Sequence, residues 1–180
     1  MDSHSSSTIN LENVFVTEAN LIVDEGEGFP HIESCLPQIL LCLSAEALGI
    51  MEVLNKLTVE YSKTRKQFGA PIGSFQALQH RMVDNFMAFE QSKSMVYRGI
   101  CESTSFNKND IDINQFLKTA HAVQALIAKN SKQSGDESIQ IHGGIGMTDE
   151  LNIGHFVKRL MMINVLFGDG DFHRQCFSQN

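Results

Sequence analysis

The apolar positions change period along this chain, and the change divides it. Between residues 11 and 23, Leu11, Val14, Phe15, Val16, Leu21, Ile22 and Val23 alternate loosely with polar neighbours, which predicts a short strand or an extended arm. Residues 24–28, Asp24-Glu25-Gly26-Glu27-Gly28, supply turn chemistry. Pro30 and Pro37 then bracket the predicted start of a long helix, because proline is tolerated in a first turn. From 37 to 64, Ile39, Leu43, Leu48, Met51, Leu54 and Leu57 recur at helical spacing, with Gly49 as the only glycine. The helix must stop before Gly69-Ala70-Pro71-Ile72-Gly73, since two glycines and a proline break helix and strand alike.

Ser74 is the expected amino-terminal cap of a second helix, along which Phe75, Leu78, Met82, Phe86 and Phe89 stand three or four apart, followed by Met95 and Val96. Polar residues 103–110 predict a loop, and a third helix is expected over 113–139 with Phe116, Ala120, Val123 and Ile127 on one side. A fourth is expected over 149–166, after Gly143-Gly144-Ile145-Gly146 and before a turn at Gly168-Asp169-Gly170. Long helices on short loops predict an all-α fold, an antiparallel four-helix bundle with a short extended N-terminal arm.

Composition narrows the partners. At 180 residues and 42% hydrophobic the chain can bury one domain's core. A formal charge of -7 and a pI near 5.4 exclude the positive field that nucleic acids and anionic membrane surfaces require. The serine-rich lead, residues 1–8, lacks the basic and apolar segments of a secretion signal or transit peptide. The longest apolar run, residues 39–43, is too short to span a bilayer, so a cytoplasmic protein without a membrane span is expected. Four cysteines without C-x-x-C spacing and seven histidines without an H-x-x-x-H pair predict no metal site.

Three segments carry candidate chemistry: Tyr61-Ser62-Lys63-Thr64-Arg65-Lys66-Gln67-Phe68-Gly69-Ala70-Pro71-Ile72, then Phe75-Gln76-Ala77-Leu78-Gln79-His80, and much later Gln140-Ile141-His142-Gly143-Gly144-Ile145-Gly146-Met147-Thr148. Arg65 stands at a predicted helix end, where its fork of donors can grip a pyrophosphate or simply complement the helix dipole. Phe68 can lie on an aromatic ring system, and Gln76 offers donor and acceptor to a ring edge or sugar; ordinary packing and a solvated amide are the plainer readings. Gly143, Gly144 and Gly146 allow close backbone approach to a ligand ahead of a helix amino terminus, or form a plain turn between helices.

In this order the segments resemble the acyl-CoA dehydrogenase family, whose signatures read Y-x-x-x-R-x-x-F-G-x-P-I and Q-x-x-G-G-x-G. The resemblance covers the chain from residue 11 onward. It implies an FAD-dependent oxidoreductase that introduces an α,β double bond into an acyl-CoA thioester, with electron-transfer flavoprotein as acceptor. It also implies that Arg65, Phe68, Gln76, Gln140, Gly143 and Gly144 contact FAD across a subunit interface, in a homo- or hetero-oligomer.

Two departures qualify the resemblance. The family's catalytic glutamate stands in a Y-E-G-T segment that reads Leu166-Phe167-Gly168-Asp169 here, so Phe167 holds the glutamate position and cannot accept a proton. The family's alternative location, in the first long helix, corresponds to Leu36-Pro37-Gln38-Ile39-Leu40, again without a carboxylate. The run Phe167-Gly168-Asp169-Gly170-Asp171-Phe172-His173 is similar to the ending of small subunits of paired dehydrogenases such as pimeloyl-CoA dehydrogenase. Asp169 is then a displaced catalytic base, or a partner subunit supplies the base, or Asp169 and Asp171 are polar turn residues. By the same resemblance, residues 1–29 are a polar lead and the remnant of a preceding β domain, and 30–180 form the flavin-binding bundle. The family's earlier domains have no counterpart, so turnover by this chain alone is not expected. A non-catalytic assembly module of a heteromeric dehydrogenase is the competing reading.

Overall fold

The computed structural model describes residues 7–179, and most of the serine-rich lead lies outside them. Five α-helices follow one another among the described residues: α1 (Gly28–Thr64), α2 (Gln76–Asn107), α3 (Ile113–His142), α4 (Ile153–Ile163) and α5 (Gly170–Gln179). The all-α reading holds, with α5 added where the sequence pattern indicated only a turn. Residues 11–23 form no strand; they run irregularly through one 3-10 turn, Glu18–Asn20, with Phe15 and Ile22 exposed. A strand requires a neighbour to complete its ladder, and no described segment pairs with this one.

Side-chain bridges fix the helix directions. Ser44 of α1 donates to Gln124 of α3 at 2.7 Å, and Tyr61 of α1 donates to the His142 carbonyl at 3.3 Å, so α1 and α3 run in parallel. Arg81 of α2 pairs with Glu137, and Asn130 donates to the Ala88 carbonyl at 3.1 Å, so α2 runs antiparallel to both. α4 and α5 also run against α3, with Ser131 beside Asn164 and His121 beside His173. α3 is therefore the central element, and its predicted stripe of Phe116, Ala120, Val123 and Ile127 is fully buried.

Where helix bounds differ from expectation, a specific contact is responsible. α1 begins ahead of Pro37, which is buried inside the helix, so one backbone carbonyl forgoes its N–H partner there. Ser74 caps nothing: its hydroxyl donates back to the Pro71 carbonyl at 2.6 Å, and Phe75 is the N-cap of α2. Phe86, expected inward, is 56% exposed, because the buried stripe of α2 runs through Asn85, Ala88, Phe89, Ser92, Val96 and Gly99. At Gly99 an added Cβ would stand 2.3 Å from Leu41 Cδ2, so glycine sets the spacing of α1 and α2.

α1 is long and apolar enough to cross a membrane by length and composition, which the count of its longest apolar run did not reveal. Leu40, Leu41, Ala47, Ile50, Met51 and Leu54 of this helix are instead buried in the bundle, where they pack the core. A polar seam crosses that core. Gln124, fully buried, accepts from Ser44 and donates to the Ile163 carbonyl at 3.4 Å, while Asn130 donates to Ser92 at 3.1 Å. Each polar group buried in this seam gains a partner in place of water.

Candidate functional site

Because α1 and α3 are parallel, their carboxy-terminal ends lie side by side. A cleft of about 510 Å³ opens between them, lined by Tyr61, Arg65, Phe68, Gln140, Gly143 and Gly144 among others. Residues 81 positions apart in sequence meet there because Tyr61 and His142 stack, with ring centroids 4.3 Å apart and planes inclined by 26°. The motifs contain both residues, Tyr61 as a defined signature position, but give neither a role in the site. The buried His142 also hydrogen-bonds through Nδ1 to the Ser138 carbonyl at 2.7 Å, which holds its ring.

Past the end of α1 the chain makes a small antiparallel hairpin, β1 (Lys66–Gln67) and β2 (Ala70–Pro71). Its two turn residues, Phe68 and Gly69, have φ of 51° and 80°, the paired positive values of a tight hairpin turn. Gly69 adopts that conformation freely. Phe68 does so at a cost of order 1 kcal/mol or more, and its ring is nonetheless 92% exposed. A strained aromatic held open to solvent contributes little to the hydrophobic core. Arg65 is the C-cap of α1; its N–H donates to Tyr61 at 2.9 Å, its carbonyl accepts from Ile72 at 2.8 Å, and its guanidinium is left exposed at the cleft.

The glycine segment closes the other wall. Gly143 terminates α3 with φ of 66°, and Gly146 approaches His142 and Ile139 so closely that a Cβ would stand 3.0 Å from His142 Cβ. Gly144 meets neither demand: its φ is not positive, and a Cβ there would touch nothing within 4 Å. The expectation that these glycines precede a helix amino terminus is corrected here. They form a 3-10 turn, Gly143–Met147, at the carboxy-terminal end of α3, and α4 starts only at Ile153. Positive charge therefore comes from the Arg65 side chain, since Arg81 is paired with Glu137. Glu137 raises the Arg81 pKa by its hydrogen bond and its charge, which outweigh partial desolvation.

The cleft thus offers a guanidinium, an exposed ring, a carboxamide at Gln140 and a glycine wall. That donor set fits phosphates, a stacking ring and a polar ring edge, the parts of an adenine dinucleotide. Gln76 is not among the cleft's lining residues; it is the exposed first residue of α2. Asp169 is elsewhere. It precedes α5, where its Oδ1 accepts from the Phe172 N–H at 2.8 Å. Gly170 packs on Ala128, twelve residues back along α3 from Gln140, which corresponds to about 18 Å of helix. Phe167 is 53% exposed with φ of 60°, and Gly168 has φ of 118°.

The acyl-CoA dehydrogenase C-terminal domain matches this sequence over residues 26–180. The chain belongs to the acyl-CoA dehydrogenase family. Among curated relatives of this acyl-CoA dehydrogenase domain, the short-chain-specific acyl-CoA dehydrogenase of Megasphaera elsdenii is 28% identical over 173 residues, covering 95% of this chain and 43% of the relative. Acyl-CoA dehydrogenase IpdE2 of Mycolicibacterium smegmatis is 40% identical over 119 residues, 66% of this chain and 34% of the relative. Among solved structures, PigA with FAD and proline superposes with a TM-score of 0.70 at 28% identity, covering 79% of this chain and 36% of PigA. The chain therefore spans less than half the length of these relatives.

Proposed function

We propose that this chain supplies the adenine dinucleotide half-site of an FAD-dependent acyl-CoA dehydrogenase, acting across a subunit interface on an acyl-CoA thioester. The observation that carries the reading is the cleft itself, where Arg65, Phe68, Gln140, Gly143 and Gly144 converge from two helix ends. Arg65 holds the pyrophosphate, the exposed Phe68 ring lies against an aromatic face of the cofactor, and Gln140 bonds a polar edge. Gly143 and Gly144 let the cofactor's phosphate or sugar approach the backbone. When bound, the flavin supplies the hydride acceptor. Electron-transfer flavoprotein is the partner that the family resemblance implies.

The proton acceptor is assigned to a partner subunit. Asp169 already serves as the cap of α5, where its Oδ1 accepts from the Phe172 N–H. A single chain therefore presents cofactor contacts at one end and its family-equivalent base position at the other, as a shared interface requires. FAD titration of the purified chain, alone and mixed with a full-length acyl-CoA dehydrogenase subunit of the same organism, tests the reading by flavin fluorescence quenching. Quenching that strengthens in the mixture and is lost in Arg65→Ala is expected. Quenching that ignores Arg65 would return the chain to the competing reading, an assembly module without a cofactor role.

A further inference from the structure

Two imidazoles meet inside the bundle, away from the cleft. His121 of α3 is 3% exposed and His173 of α5 is 0% exposed, and their Nδ1 atoms stand 2.8 Å apart. Such a contact needs one N–H and one bare lone pair, so it survives only while a single proton lies between the two nitrogens. His173 Nε2 is buried as well and has no hydrogen-bond partner. A second proton thus brings two N–H groups face to face, or leaves a buried N–H with nothing to receive it.

The charges around the pair do not compensate. Asp169 and the Gly168 backbone favour a proton on His173, whereas burial and the neighbouring His121 oppose it more strongly, and its pKa falls to about 4. Burial also lowers His121. On α3, Lys118 is occupied over the Phe177 ring at 5.5 Å, and on α5 Asp171 pairs with Arg174. Across from Phe177, α2 presents Arg98 and Glu102 to the same shallow cleft. Asp169 is the one carboxylate that favours the His173 proton, and it is already spent on the start of α5.

The pair is also the principal buried attachment of α5: His173 is the one buried residue of that helix, and Phe172 and Phe177 are 46% and 44% exposed. We infer that His121 and His173 form an acid-released clasp, which docks α5 on α3 while they share one proton and lets it go when they take a second. Release carries away the turn at Phe167, Gly168 and Asp169, since the His173 N–H is bonded to the Asp169 carbonyl at 3.0 Å. The docked state binds protons less readily than free imidazole. Docking is therefore fully favoured above the ordinary histidine pKa of about 6.5 and loses ground as the pH falls from there towards 4. The inference is independent of what fills the cleft.

Amide hydrogen exchange on the intact chain tests it, with rates corrected for intrinsic pH dependence. Between about pH 7.5 and about pH 4.5, the amides of α5 are expected to lose on the order of tenfold to a hundredfold in protection, while those in the middle of α3 change far less. Replacing the pair by apolar groups, His121→Phe with His173→Leu, should make α5 protection independent of pH. Unchanged α5 protection in the wild type, or parallel loss in α3, overturns the clasp. Should the double variant fail to dock α5 at all, imidazole nitrogen shifts of the wild-type chain decide: coupled titration well below 6.5 supports it, and two independent titrations near about 6.5 overturn it.

Discussion

The two ends of α3 treat their polar and glycine residues in opposite ways. At the carboxy-terminal end, Arg65, Phe68, Gln140 and Gly144 are exposed, and neither the Phe68 ring nor the Cβ-free face of Gly144 serves the bundle's packing. Near the other end, Asp169, His121, His173 and Gly168 are all engaged in fastening α5. Residues that folding does not require are available for a ligand, whereas residues consumed by folding are poor candidates for turnover. That contrast separates the proposed cofactor contacts from the aspartate, although family resemblance drew attention to both.

Substitutions can break the contrast or sharpen it. The largest effect is expected at Gly168, where alanine must adopt φ of 118° and its Cβ would stand 2.2 Å from Phe172 Cδ1. Gly168→Ala should cost about 2–4 kcal/mol in urea unfolding and leave the cleft intact. At the other end, Arg65→Ala should weaken FAD binding by about tenfold to a hundredfold, the loss of a charge-assisted hydrogen bond, while the melting temperature hardly moves. A fall in stability matching that of Gly168→Ala would make Arg65 a structural residue.

Two smaller effects refine the boundary. Gly144→Ala has room for its Cβ and no backbone strain, so its stability should stay within about 0.5 kcal/mol of wild type while FAD affinity drops several-fold. Asp169→Asn retains a good helix cap and loses only basicity, so turnover of the assembled enzyme should change by less than about twofold. A drop of about a hundredfold or more in steady-state rate would instead make Asp169 the general base.

Much of this was legible beforehand, and the exceptions share a cause. The stripe of Phe116, Ala120, Val123 and Ile127 reads directly because α3 is packed on several sides, so its apolar period and its burial coincide. α5 was missed because Gly168, Asp169 and Gly170 read as a terminal turn, and the contact that gives Gly170 a helical role, against Ala128, is tertiary. Phe86 misled because a helix lying on one side of a bundle buries only part of an apolar surface. Arg65, Gln140 and Tyr61 stand at defined motif positions, but His142 and Arg81 join the same cleft through contacts that no local pattern announces. The helix-dipole argument for the glycines failed because a Gly-Gly-x-Gly turn looks alike at either end of a helix.

The buried seam of Ser44, Gln124, Asn130 and Ser92 has a consequence for how this domain can change its length. Each of those partners depends on a single register between neighbouring helices. One residue inserted into α3 between Gln124 and Gln140 would turn everything beyond it by about 100° and advance it by about 1.5 Å. Ser44 would then lose Gln124, or Tyr61 would lose His142, depending on which half kept its place. Insertions and deletions should accumulate instead at residues 108–112 and 148–152, which makes the middle of α3 a length standard for any dehydrogenase built on this domain.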